Sequence, residues 1–157
     1  MLVKDVIFED FINYKKPSLF IVFGRCSFKC NKEEGCDICQ NSHITSLPDI
    51  DVPLDYICAK YKRNLLSQAI VCGGLEPFDS KDDLFSLIKS FRKFTEDDIV
   101  IYTGYTEEEL KEEINILKQY KNIIIKFGRY RSNEESHFDA LLGVYLASHN
   151  QYAKRIS

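Results

Sequence analysis

The chain has 157 residues, 45% of them hydrophobic and 29% charged, with a formal net charge of -3 at pH 7. This length and balance suit one domain with its own core, and they exclude intrinsic disorder, a collagen-like repeat and a disulfide miniprotein. The slight acidity argues against a nucleic-acid surface built on bulk charge, so no nucleic-acid partner is expected.

Strand-like and helix-like patterns alternate along the sequence. Ser18 to Phe23 (SLFIVF) is a continuous β-branched and aromatic run of the kind buried on both faces of a sheet. Leu54, Ile57, Cys58, Tyr61 and Leu65 then recur at helical spacing, with Pro53 in a first-turn position. Ala69 to Cys72 (AIVC) predicts a second strand and runs directly into Gly73-Gly74. Ser80 with Asp83 resembles a capping box, and Leu84, Leu87, Ile88 and Phe91 form the stripe of the helix that follows. Ile99 to Tyr102 predicts a third strand. Thr106 and Glu109 fit the capping pattern T-x-x-E ahead of a stripe of Leu110, Ile114 and Leu117. Ile123 to Phe127 predicts a fourth strand, and Leu141 to Leu146 a fifth.

This alternation, with runs so apolar, implies an α/β fold: a mostly parallel sheet of four to six strands covered by helices. Right-handed crossovers would coil the units into a partial (βα) barrel. No repeat, linker or low-complexity tract divides residues 1–157, so a single domain is expected. Ligands in such sheets bind at the carboxyl ends of the strands, which draws attention to the loops after Phe23, Cys72, Tyr102 and Phe127.

The unusual residues fall on those loops. Cys26, Cys30, Cys36 and Cys39 all follow the first core strand, in a segment that also holds the turn-prone Asn31 and Gly35. The N-terminus has no secretory pattern, and Leu19 to Phe23, the longest apolar run, is far short of the ~20 residues of a membrane span. A cytoplasmic location is therefore expected, where thiols stay reduced and a cysteine cluster calls for a metal or redox explanation. Soft thiolates select zinc or iron-sulfur clusters. All four could close one tetrahedral zinc site, or three could hold a 4Fe-4S cluster and leave one iron open. Cys58 reads as a core thiol on a helix, and Cys72 as a packing residue beside Gly73. His43, His137 and His149 show no ligand spacing and read as surface residues.

Gly73-Gly74-Leu75-Glu76-Pro77 follows the second strand, and paired glycines let backbone approach a ligand closely. With the cysteine loop before it, the sequence resembles the radical S-adenosylmethionine enzymes, whose hallmark is a CxxxCxxC loop after the first strand and a GGEP-type motif after the second. Within them it is most similar to the small activating proteins of anaerobic ribonucleotide reductase. Phe11-Ile12-Asn13-Tyr14, Cys39-Gln40-Asn41, Ile101 to Thr106 (IYTGYT) and Ala147 to Gln151 (ASHNQ) match that group's segments in order. Three departures stand out: eight residues separate Cys30 from Cys39, Leu75 is inserted into the glycine motif, and Cys72 replaces the usual Ser or Thr.

The resemblance implies Cys26, Cys30 and Cys39 as ligands of a 4Fe-4S cluster, with Cys36 an alternative third ligand or an extra thiol. It implies S-adenosylmethionine as second cofactor, with Gly73, Gly74 and Glu76 at its methionine end and Thr103 and Gly104 on the ribose side. Lys126 would reach the cofactor carboxylate or lie on a solvated edge, and Asn150 and Gln151 would hydrogen-bond near the adenine or the strand ends. The implied activity is abstraction of hydrogen from a glycine of the anaerobic ribonucleotide reductase large subunit, leaving a glycyl radical. An electron donor such as flavodoxin or ferredoxin would serve it. Two other readings stand beside this one: a radical S-adenosylmethionine reaction on a small molecule, such as modified-base biosynthesis, and a non-catalytic four-cysteine zinc or iron-sulfur interaction module.

Overall fold

A computed structural model describes residues 1–157. Its strands are β1 (Leu2–Val3), β2 (Asp5–Asp10), β3 (Ser18–Phe23), β4 (Ile50–Asp51), β5 (Ala69–Gly74), β6 (Asp98–Tyr102), β7 (Ile123–Phe127), β8 (His137–Asp139), β9 (Val144–Leu146) and β10 (Tyr152–Arg155). The helices are α1 (Lys29–Glu34), α2 (Leu54–Arg63), α3 (Lys81–Phe91) and α4 (Lys111–Leu117).

Six strands form the main sheet in the order β10-β7-β6-β5-β3-β2. The four apolar runs are its parallel centre, with β5 reaching two residues further than expected, through Gly73-Gly74. Antiparallel strands β2 and β10 flank that centre, so the sheet is mixed. The expected fifth strand is corrected: only Val144–Leu146 is extended, and it pairs with β8 in a separate hairpin. The cause is local. Asp139 accepts a backbone bond from Gly143, whose φ is 74°, and its side chain accepts from the Leu142 N–H, closing a tight turn in mid-run.

Three helix readings also shift. Helix α2 stops at Arg63, leaving Leu65 outside it and 94% exposed. Asn64 ends the helix: its Oδ1 accepts from the backbone of Leu66 and Ser67, and its Nδ2 donates to the Phe8 carbonyl. Ser80 makes no capping bond. A 3₁₀ turn over Pro77–Ser80 leads straight into α3, and the Glu76 carboxylate caps that turn through the Phe78 N–H. The Thr106–Glu109 box does form, with both reciprocal bonds at 2.9 and 3.3 Å, but it closes a turn ahead of α4, which begins at Lys111.

Alternation along the strands gives the sheet two different faces. Ile21, Phe23, Ile70, Cys72, Ile99, Ile101, Ile123 and Ile125 meet α2, α3 and α4 in the larger core, where Leu84, Leu87, Ile88 and Phe91 are fully buried. Burial of each such side chain is worth about 1.5–3 kcal/mol. Val71, Val100 and Ile124 face the other way, where Tyr14, Leu142 and Leu146 cover them instead of a helix. Loops roof that second face, and near the strand ends they leave it open.

Candidate functional site

Parallel register lines up Val22, Gly73, Tyr102 and Lys126 along one row of the face opposite α2, α3 and α4. Gly73 is the gap in that row: a Cβ there would lie 2.9 Å from the Phe20 ring. Gly74 turns the chain with φ 87°, and a Cβ on it would meet Val22 at 2.7 Å and the Phe23 carbonyl at 3.0 Å. Only glycine fits both demands. Above the row, at the carboxyl ends of the strands, opens a cavity of about 360 Å³. It is where an open parallel sheet is expected to bind its ligand.

Cys26, Cys30 and Cys39 all line this cavity, as do Gly73, Gly74, Glu76, Thr103, Gly104 and Lys126. Cys36 is exposed and lies outside it. Asn150 does not line it either; its side chain donates to the Arg129 carbonyl and accepts from Ser148, which ties two loops together. The neighbouring Gln151 does line the cavity, with its amide bonded to Ala147, Ser148 and Gly128. Cys58 and Cys72 are buried in the larger core, away from the other four thiols. His43 and His149 are exposed, and His137 and His149 stack edge-on at 5.5 Å.

The cysteine loop is fixed by polar bonds more than by apolar burial, for α1 has no buried residue. Asn31 accepts from the backbone of Ile38 and Cys39 and so folds the two halves of the loop together. Asn41 donates to the Gly74 carbonyl at 2.8 Å, Asp79 accepts from the Ser27 N–H, and Arg25 O accepts from the Glu76 N–H. Leu75, the inserted residue, packs with Val22 and Ile44, which seats the downstream end of the loop on the sheet.

Glu76 joins three loops. Its Oε1 accepts from the Thr103 hydroxyl and the Phe78 N–H, and its Oε2 accepts from the Gly104 N–H at 2.8 Å. Burial pushes this carboxyl up to about 7 against those bonds. Burial also brings Lys126 down to about 8, although Glu76 and Cys30 favour its charge. Lys126 is thus no edge residue: it is buried, and its ammonium bonds only Gly128 O, at 3.0 Å. Two of its three N–H donors remain free beside the cavity. Burial raises Cys26 to about 11 and Cys30 above its ordinary value, so both sulfurs would need a metal to ionise.

The donor set suits a cluster better than a single ion. No three His, Cys, Asp or Glu side chains converge closely enough to hold one metal ion. A closed zinc site needs four sulfurs about 2.3 Å from one point. Thiols spread round a cavity can each take a different iron. Sequence reasoning did not single out Tyr130 and Tyr145, which line the cavity, or Arg129, which braces it, and it marked Glu109, the partner of Arg129, only as a capping residue. The strand-end rule points at the loop after Phe127 and hence at Arg129 and Tyr130. Nothing in the sequence marks Tyr145.

A protein family described as a 4Fe-4S single cluster domain matches residues 17–151, and the chain belongs to that family. Searches of curated proteins and of solved structures each found no match. No helix is long and apolar enough to cross a membrane.

Proposed function

We propose that this iron-sulfur protein is a radical S-adenosylmethionine enzyme that activates a glycyl-radical partner, the large subunit of an anaerobic ribonucleotide reductase. One observation carries the reading: Cys26, Cys30 and Cys39 share a single cavity with Gly73-Gly74 and a buried lysine, while Cys36 stands outside. Three thiolates from these residues would hold a 4Fe-4S cluster and leave its fourth iron for the cofactor. One electron from the cluster would break the sulfonium C–S bond, giving methionine and a 5'-deoxyadenosyl radical that takes a hydrogen atom from a glycine Cα of the partner and becomes 5'-deoxyadenosine.

The chain's own part is to bind, orient and exclude. Gly73 and Gly74 bring backbone against the methionine end of the cofactor without a side chain in the way. Lys126, with two free N–H donors, suits a carboxylate. Glu76 acts from behind, holding Thr103 and Gly104 in place for the ribose side. Asn150 supports this wall by fixing the loops that carry Arg129 and Gln151. A partial barrel is the shape this reading expects of the sheet, with the partner protein completing the wall that four parallel strands leave open. An electron donor such as flavodoxin or ferredoxin would reduce the cluster.

Anaerobic reconstitution, reduction with S-adenosylmethionine present and assay for 5'-deoxyadenosine test the proposal. Product should form, disappear in Cys26→Ala, Cys30→Ala and Cys39→Ala, and persist in Cys36→Ala. A cluster-loaded protein that makes no 5'-deoxyadenosine overturns the radical chemistry. One tight zinc, lost with any of the four changes, would establish the interaction module instead.

A further inference from the structure

A knot of charges lies behind the cysteine helix and has no place in the scheme above. Arg129 is 8% exposed and follows the glycine turn after β7. Its Nη2 donates to Glu109 Oε1 at 2.6 Å, and its Nε lies 3.1 Å from Glu33 Oε1 but makes no hydrogen bond. Lys29 reaches the same Glu109 oxygen at 3.1 Å and sits 4.2 Å above the Tyr105 ring. Lys29 and Glu33 are both on α1, on either side of Cys30, so the knot grips the element that carries that sulfur.

The same arginine and the sulfur come up to one glycine, Gly104. A Cβ on Gly104 would be 3.6 Å from Arg129 Cγ and 3.7 Å from Cys30 Sγ, so both lie against one glycine. A small void of about 20 Å³ is lined by Cys26, Cys30 and Glu76 together with Arg129 and Tyr105. The Nε is a buried donor without a hydrogen-bond partner.

We propose that Arg129, clamped by Glu109, is a positioning residue for the iron-sulfur cluster that also raises its reduction potential. The inference rests on Cys30 being a ligand. Reduction adds a negative charge to the cluster. A fixed positive charge beside one of its thiolates, in a partly desolvated site, stabilises the reduced form. The Glu109 carboxylate on the far side of the guanidinium cancels part of that effect. Removing the two charges should therefore move the potential in opposite directions.

The full chain, reconstituted anaerobically, is compared with Arg129→Met, Arg129→Lys and Glu109→Gln. Iron and sulfide content are measured first, then the midpoint potential by redox titration followed by electron paramagnetic resonance. Arg129→Met should be harder to reduce than the parent, Glu109→Gln easier, and Arg129→Lys close to the parent. A purely structural brace would lower cluster content in all three without a change of sign. Unchanged potentials at full cluster content, or shifts of the same sign in Arg129→Met and Glu109→Gln, overturn the proposal. Should Arg129→Met fail to hold a cluster, Glu109→Gln still decides: no rise in its potential overturns the proposal. Failure of the underlying reading is distinct, since it would show as a Cys30→Ala protein that keeps a full cluster.

Discussion

Glycine positions separate sites where backbone shape is needed from sites where space is also needed. Gly74 and Gly35 both have positive φ, at 87° and 71°, yet their surroundings differ. A Cβ on Gly74 runs into the Phe23 carbonyl at 3.0 Å, which is backbone and cannot rotate away, whereas nothing lies within 4 Å of one on Gly35. Gly74→Ala should therefore cost at least about 1–3 kcal/mol of stability and displace the cavity floor, lowering cluster content as well. Gly35→Ala should cost only the left-handed conformation, about 1 kcal/mol, and Gly35→Asn less than that. Urea unfolding of the metal-free chain, with iron analysis after reconstitution, checks both; equal losses at the two glycines would show that crowding is irrelevant. The paired glycines were legible in the sequence as a close approach of backbone. The partner that makes Gly74 irreplaceable was not, because it is a carbonyl of a neighbouring strand.

At the scale of elements, burial decided what the sequence could reveal. The four central strands are buried on both faces and read as unbroken apolar runs. The edge strands β2 and β10 are half exposed, so Asp5–Asp10 and Tyr152–Arg155 carry charges and look like loops. Their attachment is electrostatic as well as apolar. Asp98, at the start of β6, accepts from Tyr14 at 3.0 Å and Lys16 at 2.5 Å on the loop after β2, and from Arg155 at 3.1 Å on β10. Burial works against its charge, but these three bonds outweigh burial and hold the carboxyl below its ordinary value. A carboxyl lowered on folding adds stability that is fully present above its unfolded pKa of about 4 and is lost as pH falls through its lower folded value. Asp98→Asn should thus cost about 1–3 kcal/mol at pH 7, with the gap narrowing below pH 4. Unfolding curves taken between pH 7 and 2 measure it. A gap that stays constant over that range would mean that the carboxylate charge contributes nothing.

The whole molecule divides its stability between the two faces of one sheet. Three helices seal one face with a core of large apolar residues, whereas the other is roofed by a loop and a hairpin and ends in the cavity. The cysteine loop belongs to neither core. Hydrogen bonds from the Ile38 N–H to Asn31, from Asn41 to the Gly74 carbonyl and from the Ser27 N–H to Asp79 hold it, and α1 contributes no buried side chain. Segments with few buried contacts open locally, well below the free energy of global unfolding. In the metal-free chain, amides of residues 26–41 should exchange with solvent through such local opening, while those of β5 and β6 exchange only when the whole chain unfolds. Loading the cluster should protect the loop specifically, because with the proposed ligands Cys26, Cys30 and Cys39 its irons would cross-link the loop and close it onto the sheet. Hydrogen exchange read by mass spectrometry, with and without the cluster, tests this division. Protection at residues 26–41 equal to that of β6 before any metal is added would mean that the loop is rigid by itself. In that case the braces around Arg129 and Asn31 would fix the ligand geometry in advance, and the metal would only occupy it.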